Sequence, residues 1–153
     1  MRASIGVALL GLVLGGCGGS NAGVAKLVPV SGTVTLDGKS LAGASVSFVP
    51  QAGTEGAGAF GTTDAEGRYT LDHRSGKPGI EPGTYTVSFS KMALKDGSPI
   101  PAGKTAADVE AVEQVPRQYT PGFLATNDTP ATGALVGDSG GTFDFELVSG
   151  PRR

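Results

Sequence analysis

From Val28 onward the sequence alternates apolar and polar residues in short bursts, and this period of two constrains the fold more than any other feature. Successive side chains of a strand point to opposite faces, so such a burst lays one face on a core and turns the other to water. Val28, Val30, Val34 and Leu36 share one face with Gly32 in phase, while Pro29, Ser31, Thr33 and Thr35 share the other. Ala44, Val46 and Phe48 alternate with Ser45 and Ser47, and that burst stops near Pro50. Tyr69 and Leu71 oppose Arg68 and Thr70. The cleanest burst sets Tyr85, Val87 and Phe89 against Thr84, Thr86, Ser88 and Ser90, and the last sets Phe143, Phe145 and Leu147 against Thr142, Asp144 and Glu146. Weaker strands are predicted over residues 59–63 and 131–136.

The connections carry turn chemistry. Asp37-Gly38 suits a tight turn at positive φ, Asp64-Ala65-Glu66-Gly67 forms a second turn, and residues 51–58 and 73–82 are glycine-rich loops. Glycine and proline (26 and 10 of 153 residues) make up about a quarter of the chain, yet 39% of it is hydrophobic and only 17% charged, enough for a core. About seven short strands separated by turns predict an all-β, antiparallel sandwich over residues 27–149, with no second domain and no internal repeat. Residues 92–128 break the rhythm. Within them 104–114 could form a short helix, with Ala106, Val109 and Val112 on one side, which would need the sandwich to pack against.

At the amino terminus, Arg2 precedes a ten-residue apolar run, residues 5–14. A spanning helix needs about 20 apolar residues, so this run reads as a secretory signal peptide and not as a permanent span. Leu14-Gly15-Gly16-Cys17 resembles the lipobox of bacterial lipoproteins, with glycine at both small positions. The resemblance implies cleavage after residue 16, a diacylglyceryl thioether on Cys17 and acylation of the new amino terminus. Two or three acyl chains, at about 0.8 kcal/mol per buried CH₂, make a stable anchor. Residues 17–26 then have the composition of a flexible tether. Gly18 is not the aspartate that retains lipoproteins at the inner membrane in some bacteria, which favours the outer membrane, with the domain facing the periplasm or the exterior.

Val30-Ser31-Gly32-Thr33-Val34-Thr35-Leu36-Asp37-Gly38-Lys39, followed by Leu41-Ala42-Gly43-Ala44, resembles the opening of carboxypeptidase regulatory-like domains. Thr63-Asp64-Ala65-Glu66-Gly67-Arg68-Tyr69 and Pro82-Gly83-Thr84-Tyr85-Thr86-Val87 are similar to their middle section. The resemblance covers about residues 28 to 91, and Val115-Pro116-Arg117-Gln118-Tyr119 with residues 142–147 extends it. It implies an Ig-like or transthyretin-like (prealbumin-like) sandwich of the kind that many small bacterial lipoproteins carry alone. In that family the domain accompanies a peptidase and does not perform the hydrolysis.

The residues that could carry chemistry are few. One histidine, His73, lies in a glycine- and proline-rich connection and reads as a solvated loop residue, with no pair of acids at metal-ligand spacing beside it. Asp64 and Glu66, with Asp72 nearby, lack the alternating ligands of a calcium loop and read as the solvated rim of a turn. A transthyretin-like hydrolase of 5-hydroxyisourate would need several histidines and a C-terminal Tyr-Arg-Gly-Ser, whereas this chain ends Ser149-Gly150-Pro151-Arg152-Arg153. Isopeptide crosslinking through Asp144 requires an inward side chain, and its place in the alternation is outward. Asn127-Asp128-Thr129 fits a glycosylation sequon, accidental in a bacterial envelope. The single cysteine excludes a disulfide framework, and 12 basic against 14 acidic residues give no nucleic-acid footprint.

Most aromatic residues fall in phase with the apolar face, which leaves Tyr119 and Phe123, with the segment 104–114, as the candidate binding surface. The bland alternative is that these two rings cap one end of the sandwich. The sequence therefore predicts a non-enzymatic, lipid-anchored envelope module without cofactor or metal. Its expected partners are a membrane, through lipidated Cys17, and an envelope protein or glycan. A carbohydrate- or peptide-binding role in a separate envelope complex is the alternative.

Overall fold

The computed structural model describes residues 26–120 and 133–149. The predicted signal peptide, Cys17 and most of the predicted tether lie outside the described residues. Twelve strands are described: β1 (Val30–Leu36), β2 (Lys39–Ser40), β3 (Ser45–Pro50), β4 (Ala59–Thr62), β5 (Arg68–Thr70), β6 (Asp72–His73), β7 (Gly83–Ser90), β8 (Met92–Ala93), β9 (Val112–Glu113), β10 (Gly133–Val136), β11 (Gly141–Thr142) and β12 (Phe145–Leu147). Several are ladder segments of two residues. The chain is all-β and sandwich-like, with one five-stranded sheet built around β1 and another in the order β10-β7-β3-β4-β6.

The alternation predicts the core faces well. Val30, Val34, Ala44, Val46, Phe48, Tyr69, Leu71, Tyr85, Val87, Phe89, Phe145 and Leu147 are all buried in one cluster. Phe48 sits at its centre, with ring centroids of Tyr85, Phe143, Phe145 and Tyr69 at 6.0, 6.1, 6.3 and 6.5 Å. Asp37 and Gly38 both take positive φ (51° and 77°) and turn β1 into β2, as their residue types require. Gly32 is needed for another reason: a Cβ there would stand 1.8 Å from the Phe143 carbonyl oxygen. That carbonyl accepts the Tyr69 hydroxyl at 2.8 Å, so glycine lets the last strand cross close over β1. Tyr85 donates its hydroxyl to the Glu81 carbonyl at 2.7 Å, four residues back, which fixes the corner leading into β7.

Two pairings depart from the antiparallel expectation. β1 runs parallel to both β11 and β12, so the first and last strands of the domain are neighbours. Where that ladder breaks, Asp144 substitutes for it by accepting the Thr33 amide and hydroxyl, each at 2.8 Å.

The registers also give the sandwich a base and a tip. Val28 bridges Ile80 just before β7, and Tyr85 pairs with Pro50, so the start of β1 lies at the base with loops 51–58, 74–82 and 137–140. Ser45 pairs with both Thr62 and Ser90, and Val34 donates to Gly67, so turns 37–38 and 64–67 and the segment after β7 lie at the tip.

Candidate functional site

Tyr119 is not a surface platform. Pro116 (φ −56°) starts a 3-10 turn over Arg117–Tyr119, with Tyr119 N–H on the Pro116 carbonyl at 2.9 Å. The turn swings the ring inward, where it is 1% exposed and meets Phe89 edge-on at 6.5 Å. Its hydroxyl accepts the Val148 amide at 3.4 Å. The ring caps the sandwich, which corrects its assignment to a binding surface. Phe123, the other candidate, and Asn127 lie outside the described residues.

The helix predicted over 104–114 is replaced by one capped turn and a strand. Thr105 and Asp108 cap reciprocally: Asp108 accepts the Thr105 amide at 2.9 Å and its hydroxyl at 2.8 Å, while Thr105 Oγ1 accepts the Asp108 amide at 3.3 Å. Glu110 then takes φ 48°, and Ala111 N–H closes on the Ala106 carbonyl at 2.9 Å. A left-handed residue followed by such a closing bond ends a helical turn, so Val112 leaves it and pairs with Ala93 in the β8–β9 hairpin.

This insertion, residues 91–116, is what the tip presents. Glu113 binds it to the sandwich, its carboxylate accepting the Ser90 hydroxyl (2.6 Å) and the Lys91 and Val115 amides (2.7 and 2.9 Å). Gln114 reaches the Leu94 carbonyl at 3.2 Å, and Lys95 meets Glu110 at 3.5 Å in the open. Met92 and Val112 stay 42% and 37% exposed. Beside them a cleft of about 350 Å³ is lined by Ala42, Gly43, Lys91, Met92, Pro99 and Ile100, apolar apart from the lysine. These residues follow no hydrophobic period along the chain.

His73 is likewise not a solvated loop residue. Its side chain is 14% exposed and that of Glu81 9%, with Nε2 3.0 Å from Glu81 Oε1. The contact is close without hydrogen-bond alignment, and Glu81 Oε2 is buried without a hydrogen-bond partner among the described residues. Ser75 holds the other ring nitrogen, its amide 3.2 Å and its hydroxyl 2.7 Å from Nδ1. The backbone of Gly56 closes over the Glu81 carboxylate, where a Cβ would stand 2.8 Å from Oε2. This long-range closure by the 51–58 loop is what the local glycine-rich reading missed.

The acids weighed for calcium serve the backbone. Asp64 accepts the Arg68 and Glu66 amides at 2.8 and 3.0 Å, and the Arg68 amide foremost holds its carboxyl below the usual range. Glu66 pairs with Arg68 at 3.1 Å, and Asp72 stands apart on β6. No three of His, Cys, Asp and Glu gather as a metal site among the described residues. No described helix is long and apolar enough to cross a membrane.

Phe60 is an aromatic residue that the alternation of the sequence does not single out. It projects from β4 onto the outer face of the second sheet, 51% exposed, between Ser47 on β3 and Asp72 on β6. The chain matches no family model, no curated protein and no solved structure.

Proposed function

We propose that this chain is a lipid-anchored, non-catalytic module of a bacterial cell envelope, held to a membrane through Cys17 and built on a carboxypeptidase regulatory-like sandwich of the Ig-like or transthyretin-like kind. Its role is to hold or meet an envelope protein. The observation that carries this reading is the separation of base and tip. The chain enters the fold at the base, through Val28, while the apolar cleft beside Met92 and Val112 opens at the opposite end. A tether of residues 17–26 at the base leaves that end pointing away from the membrane. Three of the acids have local tasks that favour a structural role: Asp64 holds a turn, Asp144 a ladder break and Glu113 the insertion.

The test is intact mass and membrane partitioning of the full chain beside Cys17→Ala, both expressed in a bacterial host. The expected result is a mature chain beginning at residue 17 with added acyl mass, released from membranes by the substitution. An unmodified chain cut elsewhere would overturn the anchor and make this a soluble extracytoplasmic binder.

A second reading, binding of a carbohydrate, is favoured by Phe60, an exposed aromatic face flanked by a hydroxyl and a carboxylate. Under that reading Phe60→Ala abolishes retention on an envelope glycan and Met92→Asp leaves it unchanged.

A further inference from the structure

β10 forms one edge of the second sheet, with β7 on one side and no strand on the other among the described residues. Most of the remaining edges carry charge, the exceptions being the two-residue strands β11 (Gly141-Thr142) and β8 (Met92-Ala93). β6 contributes Asp72, β5 and β2 contribute Arg68 and Lys39, and β12 contributes Glu146 with Asp144 just ahead of it. Charged side chains on an edge oppose pairing with another sheet, because the incoming strand must face or desolvate them. β10 reads Gly133-Ala134-Leu135-Val136, without charge or proline, and its Leu135 is 73% exposed, the most open of the large hydrophobic residues described.

We propose that β10 is the surface at which a second copy of this chain pairs, edge to edge and antiparallel, about a two-fold axis perpendicular to the sheet. Two five-stranded sheets would thereby become one continuous sheet. The second copy is the fitting occupant because a two-fold edge sets like residues close together. At β6 that would bring Asp72 near Asp72 and at β12 Glu146 near Glu146, whereas at β10 only Gly, Ala, Leu and Val meet. Ala134 and Val136 are buried against the core, so their copies extend the same inner row, while the two Leu135 side chains cover one another on the outer face. An edge of four residues forms few hydrogen bonds, so the pairing follows mass action and strengthens wherever copies are concentrated. It stands independently of the anchor and of the tip.

The geometry makes the register testable. Opposed residues of an antiparallel pair share a face, so the axis must pass midway between one residue of β10 and its own copy. That residue alone faces its own copy, with Cα atoms about 4.5–5.5 Å apart. Its neighbours along the strand are offset from their copies and exceed the roughly 7 Å that a disulfide can span.

The experiment uses the full chain carrying Cys17→Ala, which removes the single native thiol, with one cysteine placed in turn at positions 133 to 136. Oxidation should crosslink one position far more than the other three, and sedimentation velocity of the cysteine-free chain should show a monomer–dimer equilibrium. Leu135→Lys should abolish both, while Thr62→Lys, on the exposed outer side of β4, should leave both unchanged. A chain that stays monomeric at every concentration, equal crosslinking at all four positions, or a dimer that survives Leu135→Lys would each overturn the proposal.

Discussion

Phe48 lies within ring contact of four other aromatic residues, contributed by β5, β7 and the closing stretch 143–145. Glu113, in the insertion, gives its carboxylate to one hydroxyl and two amides within a few residues of the hairpin it closes. The first kind of contact couples distant parts of the chain through buried area. The second fixes a local path and leaves Met92 and Val112 in water. The insertion is therefore the part of the molecule that can change without unfolding the rest. The sheets share one core and should fail together, whereas the insertion should loosen alone.

The largest effect is expected from Phe48→Ala, which removes the central ring and should cost about 3–5 kcal/mol, read as a shift of the whole denaturation midpoint. A biphasic transition would mean that the two sheets do not share one core. The next test is alkaline. Burial first, and then the Glu81 carboxylate, push the Tyr85 phenol up to about 12 from an ordinary 10, and burial with Asp144 raises Tyr69 as well. A folded value above the unfolded one gives stability that is complete below pH about 10 and lost as pH climbs through about 12. Tyrosinate absorbance from these rings should therefore rise together with loss of the strand signal in circular dichroism, and not near pH 10 with the fold intact.

Glu113→Gln should lower global stability by only about 1 kcal/mol, while hydrogen exchange speeds up in residues 91–115 and stays slow in β3 and β7. Thr105→Ala should have the smallest effect, about 0.5–1 kcal/mol, confined to the exchange of the 105–111 turn. If either substitution moved the denaturation midpoint as far as Phe48→Ala, the insertion would belong to the core.

The same division decides how much could be read from the sequence. Where burial has a period of two, residues such as Val34, Val46, Phe48, Tyr85 and Leu147 announce their places, and Asp37-Gly38 announces its turn. The insertion obeys no period. The spacing of Ala106, Val109 and Val112 suits a helix, yet the Thr105–Asp108 cap and the left-handed Glu110 close it after one turn. Tyr119 could not be placed from its neighbours, because what buries it is a 3-10 turn that aims it at Phe89, far away in sequence. The burial of His73 is illegible in the sequence for a related reason: the acid that meets it is eight residues on, and the loop that seals the pair comes before it in the chain. Of the candidate site residues, Cys17 and Phe123 lie outside the described residues, so the candidate surface among the described residues rests on Met92, Val112 and the cleft beside them.

The parallel pairing of β1 with β11 and β12 has a mechanical consequence. A pull that enters at Val28 and leaves at Ser149 acts along these two neighbouring strands from opposite ends. Their cross-strand bonds, with the Asp144–Thr33 clasp among them, are then loaded side by side in shear instead of being opened one at a time. A domain stretched between its two termini would resist as a unit until that whole ladder slipped.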